Sequence, residues 1–370
     1  MSDTKSPKSP SSPEPPKSPK TASPKSPLAD ASAGLELGDI TAPIEIDNDA
    51  QSVYASSQVT DTTSLRSSIL AYKWENGRRY HAYEDGAYWA PNDERQQDAE
   101  DLSHEMHKIL LGDKLTLAPI RDDIQNVLDV GCGTGAWAID FADAHPSAQV
   151  VGVDLSAIQP RFVPPNCKFE VDDITKEWTY GEDHFDYIHI RAMTGCIPDW
   201  VEFHRTALKH LKPGGWVEHV ECSSIARSED GTVKPDSALA QWVEVFKQVG
   251  EKTGKTFAIC EIMPDVFKEA GYVNIKEHRM KVPIGTWPKD PHLKNWGAWN
   301  RHFLLQGLEG FSIRGLTELL GWRYEDAQMY LVNVRKELTD PNIHSYVELV
   351  FMAAQKPGGD EGLVAEAKTV

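Results

Sequence analysis

The chain has 370 residues, 40% hydrophobic and 25% charged, enough apolar material for one large or two ordinary domains. With 38 basic against 56 acidic residues its formal charge is −18, which excludes a chain that grips nucleic acid broadly through clustered cations. Five scattered cysteines without a C-x-x-C pair argue against a disulfide framework and a zinc site, and no run approaches the roughly 18 apolar residues of a membrane span. The expectation is a soluble, intracellular protein with no metal centre.

In chain order, Met1 to about Leu28 is almost wholly Ser, Pro and Lys, with six Ser-Pro dipeptides, three of which continue to Lys. Such a segment has nothing to bury against its ordering entropy, so a disordered, locally basic tail is predicted. It solubilises the chain or serves phosphorylation control or nuclear import, since phosphate reverses its local charge. Ala29 to about Ser64 stays polar, and the tail is placed at residues 1–65. An aromatic stretch follows (Tyr72, Trp74, Tyr80, Tyr83, Tyr88, Trp89), then a helical pattern through Leu102, Met106, Ile109 and Leu110. Residues 66–123 read as an N-terminal helical cap.

The body alternates strand and helix. Strands are predicted at Asn126–Val130, Gln149–Asp154, Phe169–Val171, Phe185–Ile190 and Trp216–Glu221, with helices at Gly135–Ala144 and Trp200–Leu211. Continuous apolar strands separated by helices specify an α/β fold with a parallel sheet covered on both faces. The core is placed at residues 124–225 and a C-terminal part at 226–357, with a flexible end at 358–370. That C-terminal part reads as one helix over Leu239–Ala270, a long strand over Val273–Ile284 and a last strand over Tyr346–Ala353. Before the last strand lies an insertion, 285–341, with Trp287, Trp296, Trp299 and a helix over Phe311–Leu338.

The strongest chemical signal is Val127-Leu-Asp129-Val-Gly131-Cys-Gly133-Thr-Gly135, a buried strand running into a glycine-rich turn and a helix. Glycine there lets a ligand approach the backbone closely. Gly131, Gly133 and Ala136 also satisfy the dinucleotide fingerprint, and Asp154 ends the next strand where either ligand class places a ribose acid. Three features separate the readings. Asp129 at the strand tip suits a ligand bearing an ammonium and repels a pyrophosphate. Asp173 ends the third strand where it can accept from an adenine amino group. Leu211-Lys-Pro-Gly-Gly215 leads into the fifth strand.

These residues resemble the class I S-adenosylmethionine-dependent methyltransferases. The resemblance implies a seven-stranded Rossmann-like sheet with helices on both faces and S-adenosyl-L-methionine as cofactor. By the same resemblance Gly131, Cys132, Gly133 and Gly135 pass under its methionine part and Asp154 holds the ribose. Asp173 and the Ile174 backbone read the adenine, and Leu155 and Arg191 complete the site. The flanking runs Arg78–Glu94, Phe185–Arg191 and Lys281–Asp290 resemble the LaeA-like fungal methyltransferases. That family implies a regulator of secondary metabolism and development, in nucleus or cytoplasm, with velvet-type partners and an unidentified methyl acceptor. A cofactor-binding scaffold without turnover, and a dehydrogenase, are the other readings.

Methyl transfer asks the protein mainly to align acceptor and methyl and to exclude water. Ligands of open α/β sheets sit beyond the carboxyl ends of the strands, which selects Arg191 and Glu221 as substrate-side candidates. A charge at a strand end also serves to pair with a neighbour. His189 and His219, one step earlier on the same strands, read as satisfied core groups. Tyr80 and Tyr83, with Tyr88 and Trp89, form either a lid or an aromatic cluster packing the cap. The tryptophans of the insertion set specificity or cover the last strand. Cys132 reads as a small space-filler, not a nucleophile.

Overall fold

A computed structural model describes residues 72–358. The tail at 1–65, the start of the cap at 66–71 and residues 359–370 lie outside the described residues.

The apolar runs become β3 (Asn126–Val130), β4 (Gln149–Asp154), β5 (Cys167–Val171), β6 (Phe185–Arg191) and β7 (Leu211–Cys222), all parallel to their neighbours among these five. β8 (Val273–Pro283) and β9 (Tyr346–Gln355) complete a seven-stranded sheet in the order β5-β4-β3-β6-β7-β9-β8, with β9 antiparallel to both neighbours. Alternate residues of a strand face opposite sides. Leu128, Val130, Ile188 and Ile190 pack with α3 (Trp200–His210) and α5 (Ile259–Ala270). Val127 and Tyr187 pack with α2 (Ala136–Ala144). From β3 the chain winds outward to β4 and β5, then returns to β6 on the other side of β3. That reversal opens a crevice beyond the carboxyl end of β3.

Three expectations need correction. The predicted helix over Leu239–Ala270 is two helices, α4 (Ala238–Thr253) and α5, because Gly254 at φ +71° ends the first and returns its N–H to Gly250. The insertion begins with a 24-residue helix, α6 (Pro291–Arg314), followed by a π-helical turn over Gly315–Leu319 and by α7 (Tyr324–Thr339), in place of one helix over Phe311–Leu338. Gly297, Gly307 and Gly310 lower the helix propensity of α6 and hide it from periodicity. Finally, the cap is not all helical. Its described part begins with a hairpin, β1 (Lys73–Glu75) and β2 (Arg78–Tyr80), turned by Asn76 at φ 50° and Gly77 at φ 75°.

The cap helix α1 (Glu94–Leu111) is fastened at its start by Asp93. That carboxylate caps the helix by accepting from Gln96 N–H, and it takes two hydrogen bonds from the Arg78 guanidinium at 2.6 and 2.8 Å. Burial alone would raise the Asp93 pKa, but the Arg78 bonds prevail and hold it below the ordinary carboxylate value. Beside it, Asn92 Nδ2 donates to Ser156 Oγ at 3.1 Å, tying the cap to the loop after β4. Helix α6 backs α1: Arg95 pairs with Glu309 at 2.6 Å, and a Cβ at Gly310 would stand 2.5 Å from Gln96 Oε1. The insertion is itself anchored on β8 and β9, where Trp287 Nε1 donates to the Ser345 carbonyl and Asn300 Nδ2 to that of Pro283. Trp296 is buried in the same layer.

Candidate functional site

A pocket with a cavity volume of about 130 Å³ opens at the switch point. Its floor is the loop Gly131–Thr134 with the tips of β4, β5 and β6, and its roof is α1 with the segment before it, through Glu100, Ser103, His104, Tyr88 and Asn92. The loop follows a φ of +54° at Gly133, which an L side chain rarely adopts. A Cβ there would lie 2.7 Å from Glu100 Oε2, so roof and floor meet at this point. Thr134 Oγ1 donates to Asp101 at 2.7 Å, a second tie between them. Gly133→Val is expected to abolish ligand binding by straining the turn and filling the cleft. Calorimetry on a variant that keeps its circular dichroism spectrum checks this, and wild-type affinity would refute it.

Asp154 ends β4 and lines the pocket. Its Oδ2 accepts from Gly133 N–H at 2.9 Å and its Oδ1 from Ser156 N–H at 2.8 Å, which leaves a lone pair on each oxygen for a diol. Burial pushes its pKa up to about 6, although those backbone bonds favour the anion. The sequence singled out Asp173 at the end of the third strand, and it lies just past β5; the structure brings Asp172 to the pocket as well. Asp173 Oδ1 already accepts from the N–H and hydroxyl of Thr175, which fixes the turn carrying Ile174. Leu155, Ile174, Cys132 and Arg191 also line the cavity. The Cys132 thiol is pushed well up by burial and by the Asp154 and Asp129 charges, so it stays protonated and unreactive.

Other expected site residues lie elsewhere. Asp129 does not reach the pocket: it is 3% exposed under α2 and binds His189 Nδ1 at 2.8 Å, and the His189 ring stacks on Trp137 with centroids 3.8 Å apart. Strand alternation turns its side chain to the face opposite Leu128 and Val130, away from the crevice. Gly135 is outside the lining, its would-be Cβ meeting Phe169 at 2.3 Å. Glu221 is sealed behind β6, where it accepts from Met193 N–H at 2.6 Å and contacts His219 Nε2 at 2.9 Å. It therefore holds the loop after β6 through the backbone of Met193 and does not itself line the cavity. Tyr80 is fully buried beneath Arg314, whose guanidinium carbon lies 4.7 Å from the ring centre. Tyr83 stands off the pocket, with its carbonyl 2.6 Å from His81 Nδ1. Of the aromatic cap Tyr88 lines the cavity, while Trp89 packs on Phe257 and donates to the Thr194 carbonyl. Trp287, Trp296 and Trp299 are absent from the lining.

The residues that sequence reasoning missed come from α1. Gln96, Glu100, Ser103, His104 and His107 recur at helical spacing on one face, and Gln96, His104 and His107 are buried. A polar stripe where an amphipathic helix should turn apolar was the available signal. His104 Nε2 lies 3.0 Å from Asp140 Oδ2 and its Nδ1 lies 3.4 Å from the Arg191 guanidinium. Burial first, then the Arg191 charge, lowers its pKa to about 4. The neutral ring therefore donates to Asp140 and accepts from Arg191, aiming that guanidinium at the cavity.

Burial raises the Glu100 and Glu221 pKa values from 4.5 to about 8, and Glu100 also feels the Asp154 charge. It lowers those of His104 to about 4 and of His107 and His219 to about 3, against 6.5 for free histidine. The histidines are neutral in the fold but charge on unfolding below pH 6.5, so their contribution rises with pH up to that point. The carboxyls ionise later in the fold than in the unfolded chain, so their contribution is lost between pH 4.5 and about 8, a loss that the histidine gain opposes up to pH 6.5 and that stands alone above it. The melting temperature should therefore peak near pH 6.5 and fall toward pH 8. Glu100→Gln should flatten the alkaline fall; scanning calorimetry across that window decides.

A family model described as a methyltransferase domain matches residues 102–277. Methyltransferase pytC of Aspergillus terreus is 42% identical over 315 residues, spanning 85% of this chain and 96% of the relative. The secondary metabolism regulator LAE1 of Cochliobolus heterostrophus is 37% identical over 76% of this chain and 94% of the relative. This chain belongs to the LaeA-like methyltransferases. The laeA regulator of Aspergillus fumigatus is 34% identical over 82% of this chain and 81% of its own. Among solved structures, Haemonchus contortus phosphoethanolamine N-methyltransferase 2 in complex with S-adenosyl-L-methionine aligns over 69% of this chain and 52% of its own. That alignment has 21% identity and a TM-score of 0.42. This methyltransferase thus spans about half of that protein's length. The family is that of class I, S-adenosylmethionine-dependent enzymes, and the sheet order agrees with it. Among the described residues no helix is long and apolar enough to cross a membrane. Nor is any group of three or more His, Cys, Asp or Glu placed to hold a metal ion.

Proposed function

We propose that the switch-point pocket seats S-adenosylmethionine with its adenosine over β4 and β5, and that the protein methylates an acceptor in the control of secondary metabolism. One observation carries the reading: an acidic cleft in which half-buried Glu100 and Asp154 both have raised pKa values, with the Glu100 Oε2 atom buried and lacking any hydrogen-bond donor. Two desolvated carboxylates side by side are relieved by a positively charged ligand and burdened by a pyrophosphate, which disfavours a dinucleotide.

Asp154 would take the ribose hydroxyls, and Asp172 with the Asp173–Ile174 turn the adenine edge. The Gly131–Gly133 backbone would run beneath the thioether chain. When bound, the cofactor supplies an electrophilic methyl group on a sulfonium. The chain's own part is to orient and dehydrate. Tyr88, Met193, Cys196 and Ile197 line a less polar side of the cavity that excludes water and suits approach of an acceptor. The Tyr88 hydroxyl is raised well above its ordinary value by burial and by the Glu100, Cys196 and Asp154 charges, so it stays protonated.

Titration calorimetry with S-adenosylhomocysteine and with NAD tests the reading, the first binding and the second not. Binding of NAD alone would reverse it. Incubating cell extract with labelled donor and identifying the labelled species by mass spectrometry names the acceptor. Velvet-type partners and a nuclear or cytoplasmic place are proposed on the family resemblance and on the Ser-Pro-Lys repeats. A pull-down and imaging of the tagged chain test them.

A further inference from the structure

We propose that Glu100, supplied by the cap helix and not by the sheet, receives the α-ammonium group at the amino-acid end of the cofactor, with Arg191 facing the α-carboxylate. The inference rests on the reading that the pocket holds S-adenosylmethionine, and it names which groups discriminate one end of that molecule. The lining order follows the strand order: Asp172 and Asp173 at β5, Asp154 at β4, the glycine loop at β3, Arg191 at β6. These four tips span about 14 Å at roughly 4.8 Å per strand, the scale of an extended adenosyl amino acid. With the diol acceptor at β4, the amino-acid end points toward β3 and β6. There the roof lowers Glu100 onto Gly133 and the floor presents Arg191.

The lining carboxylates differ in what they already hold. Asp154 accepts two backbone N–H groups, Asp173 is engaged by Thr175, and Asp172 accepts from Asp173 N–H. Glu100 differs: Oε1 has one long contact to Gln96 Nε2 at 3.5 Å, and the buried Oε2 has no donor. A buried carboxylate oxygen without a donor is costly unless a ligand completes it. An α-amino acid zwitterion carries an ammonium and a carboxylate on one carbon, and Glu100 and Arg191 present the opposite charges at the same end of the cavity. His104 holds the Arg191 guanidinium by 3.4 Å contacts, so both halves of the clamp depend on α1.

The test is calorimetry on the full chain with two ligands, S-adenosylhomocysteine and 5′-methylthioadenosine, which keeps the nucleoside but lacks the amino-acid end. In Glu100→Gln, affinity for S-adenosylhomocysteine should drop about 10- to 100-fold, the loss of one charge-assisted hydrogen bond. Affinity for 5′-methylthioadenosine should hold within about twofold, which also shows that the variant is folded. Equal losses for both ligands, or no loss for either, would overturn the assignment. If wild-type protein binds neither ligand, the cofactor reading itself falls and takes this inference with it.

Discussion

Asp93→Ala should lower the melting temperature by roughly 10 °C and cost about 3–5 kcal/mol of stability. The reason is what it leaves behind. Arg78 is 7% exposed at its side chain and Asp93 11%, so the variant strands a buried guanidinium without its counter-charge. The same carboxylate caps α1, and losing the cap adds about 1 kcal/mol. The exposed neighbour is the control. Glu94, 78% exposed, pairs with Arg79 at 2.8 Å, and Glu94→Ala should change stability by less than about 1 kcal/mol. Thermal melts of the two variants side by side check the contrast. If Asp93→Ala melts with the wild type, the clasp does not hold the cap.

Asp154→Ala should weaken S-adenosylhomocysteine binding more than about 100-fold. Two charge-assisted bonds to a ribose diol are each worth about 1.5–3 kcal/mol. The variant also releases Gly133 N–H and Ser156 N–H from their acceptor, loosening the loop under the ligand. Asp154→Asn keeps one acceptor oxygen and should fall between. Stability should change far less than affinity, because removing a half-buried carboxyl already raised to about 6 offsets part of what the two donors lose. Calorimetry and thermal melts separate the two effects. An affinity within about tenfold of wild type would remove Asp154 from the ribose.

The sheet was legible because its strands are short apolar runs punctuated by glycine and acid, and β3, β4 and β6 fall where those runs predict. The floor of the pocket was legible for the same reason: Gly133, Asp154 and Ile174 sit at fixed places relative to strand ends. Asp129 misled because a carboxylate next to a strand tip can turn to either face, and here the pleat turned it to His189. Glu221 misled similarly, being spent on the Met193 amide. The roof was opaque. Glu100 and His104 acquire their meaning when α1 folds across the crevice, a contact more than 30 residues away in sequence from both Gly133 and Asp140. Helix α6 escaped because its glycines serve close packing, as Gly310 does against Gln96.

The segment common to methyltransferase domains, residues 102–277, begins after Glu100 and stops within β8. Tyr88, Asn92 and Glu100 of the roof, the first two turns of α1, and the strand β9 that fills the place between β7 and β8, are drawn from sequence outside those limits. Excised at those limits, the segment would lose the filler of its own sheet and leave raw edges on β7 and β8. Such a core is not portable: grafted into another protein it would carry the cradle for a nucleoside but neither the clasp nor the cover that make the cradle a binding site.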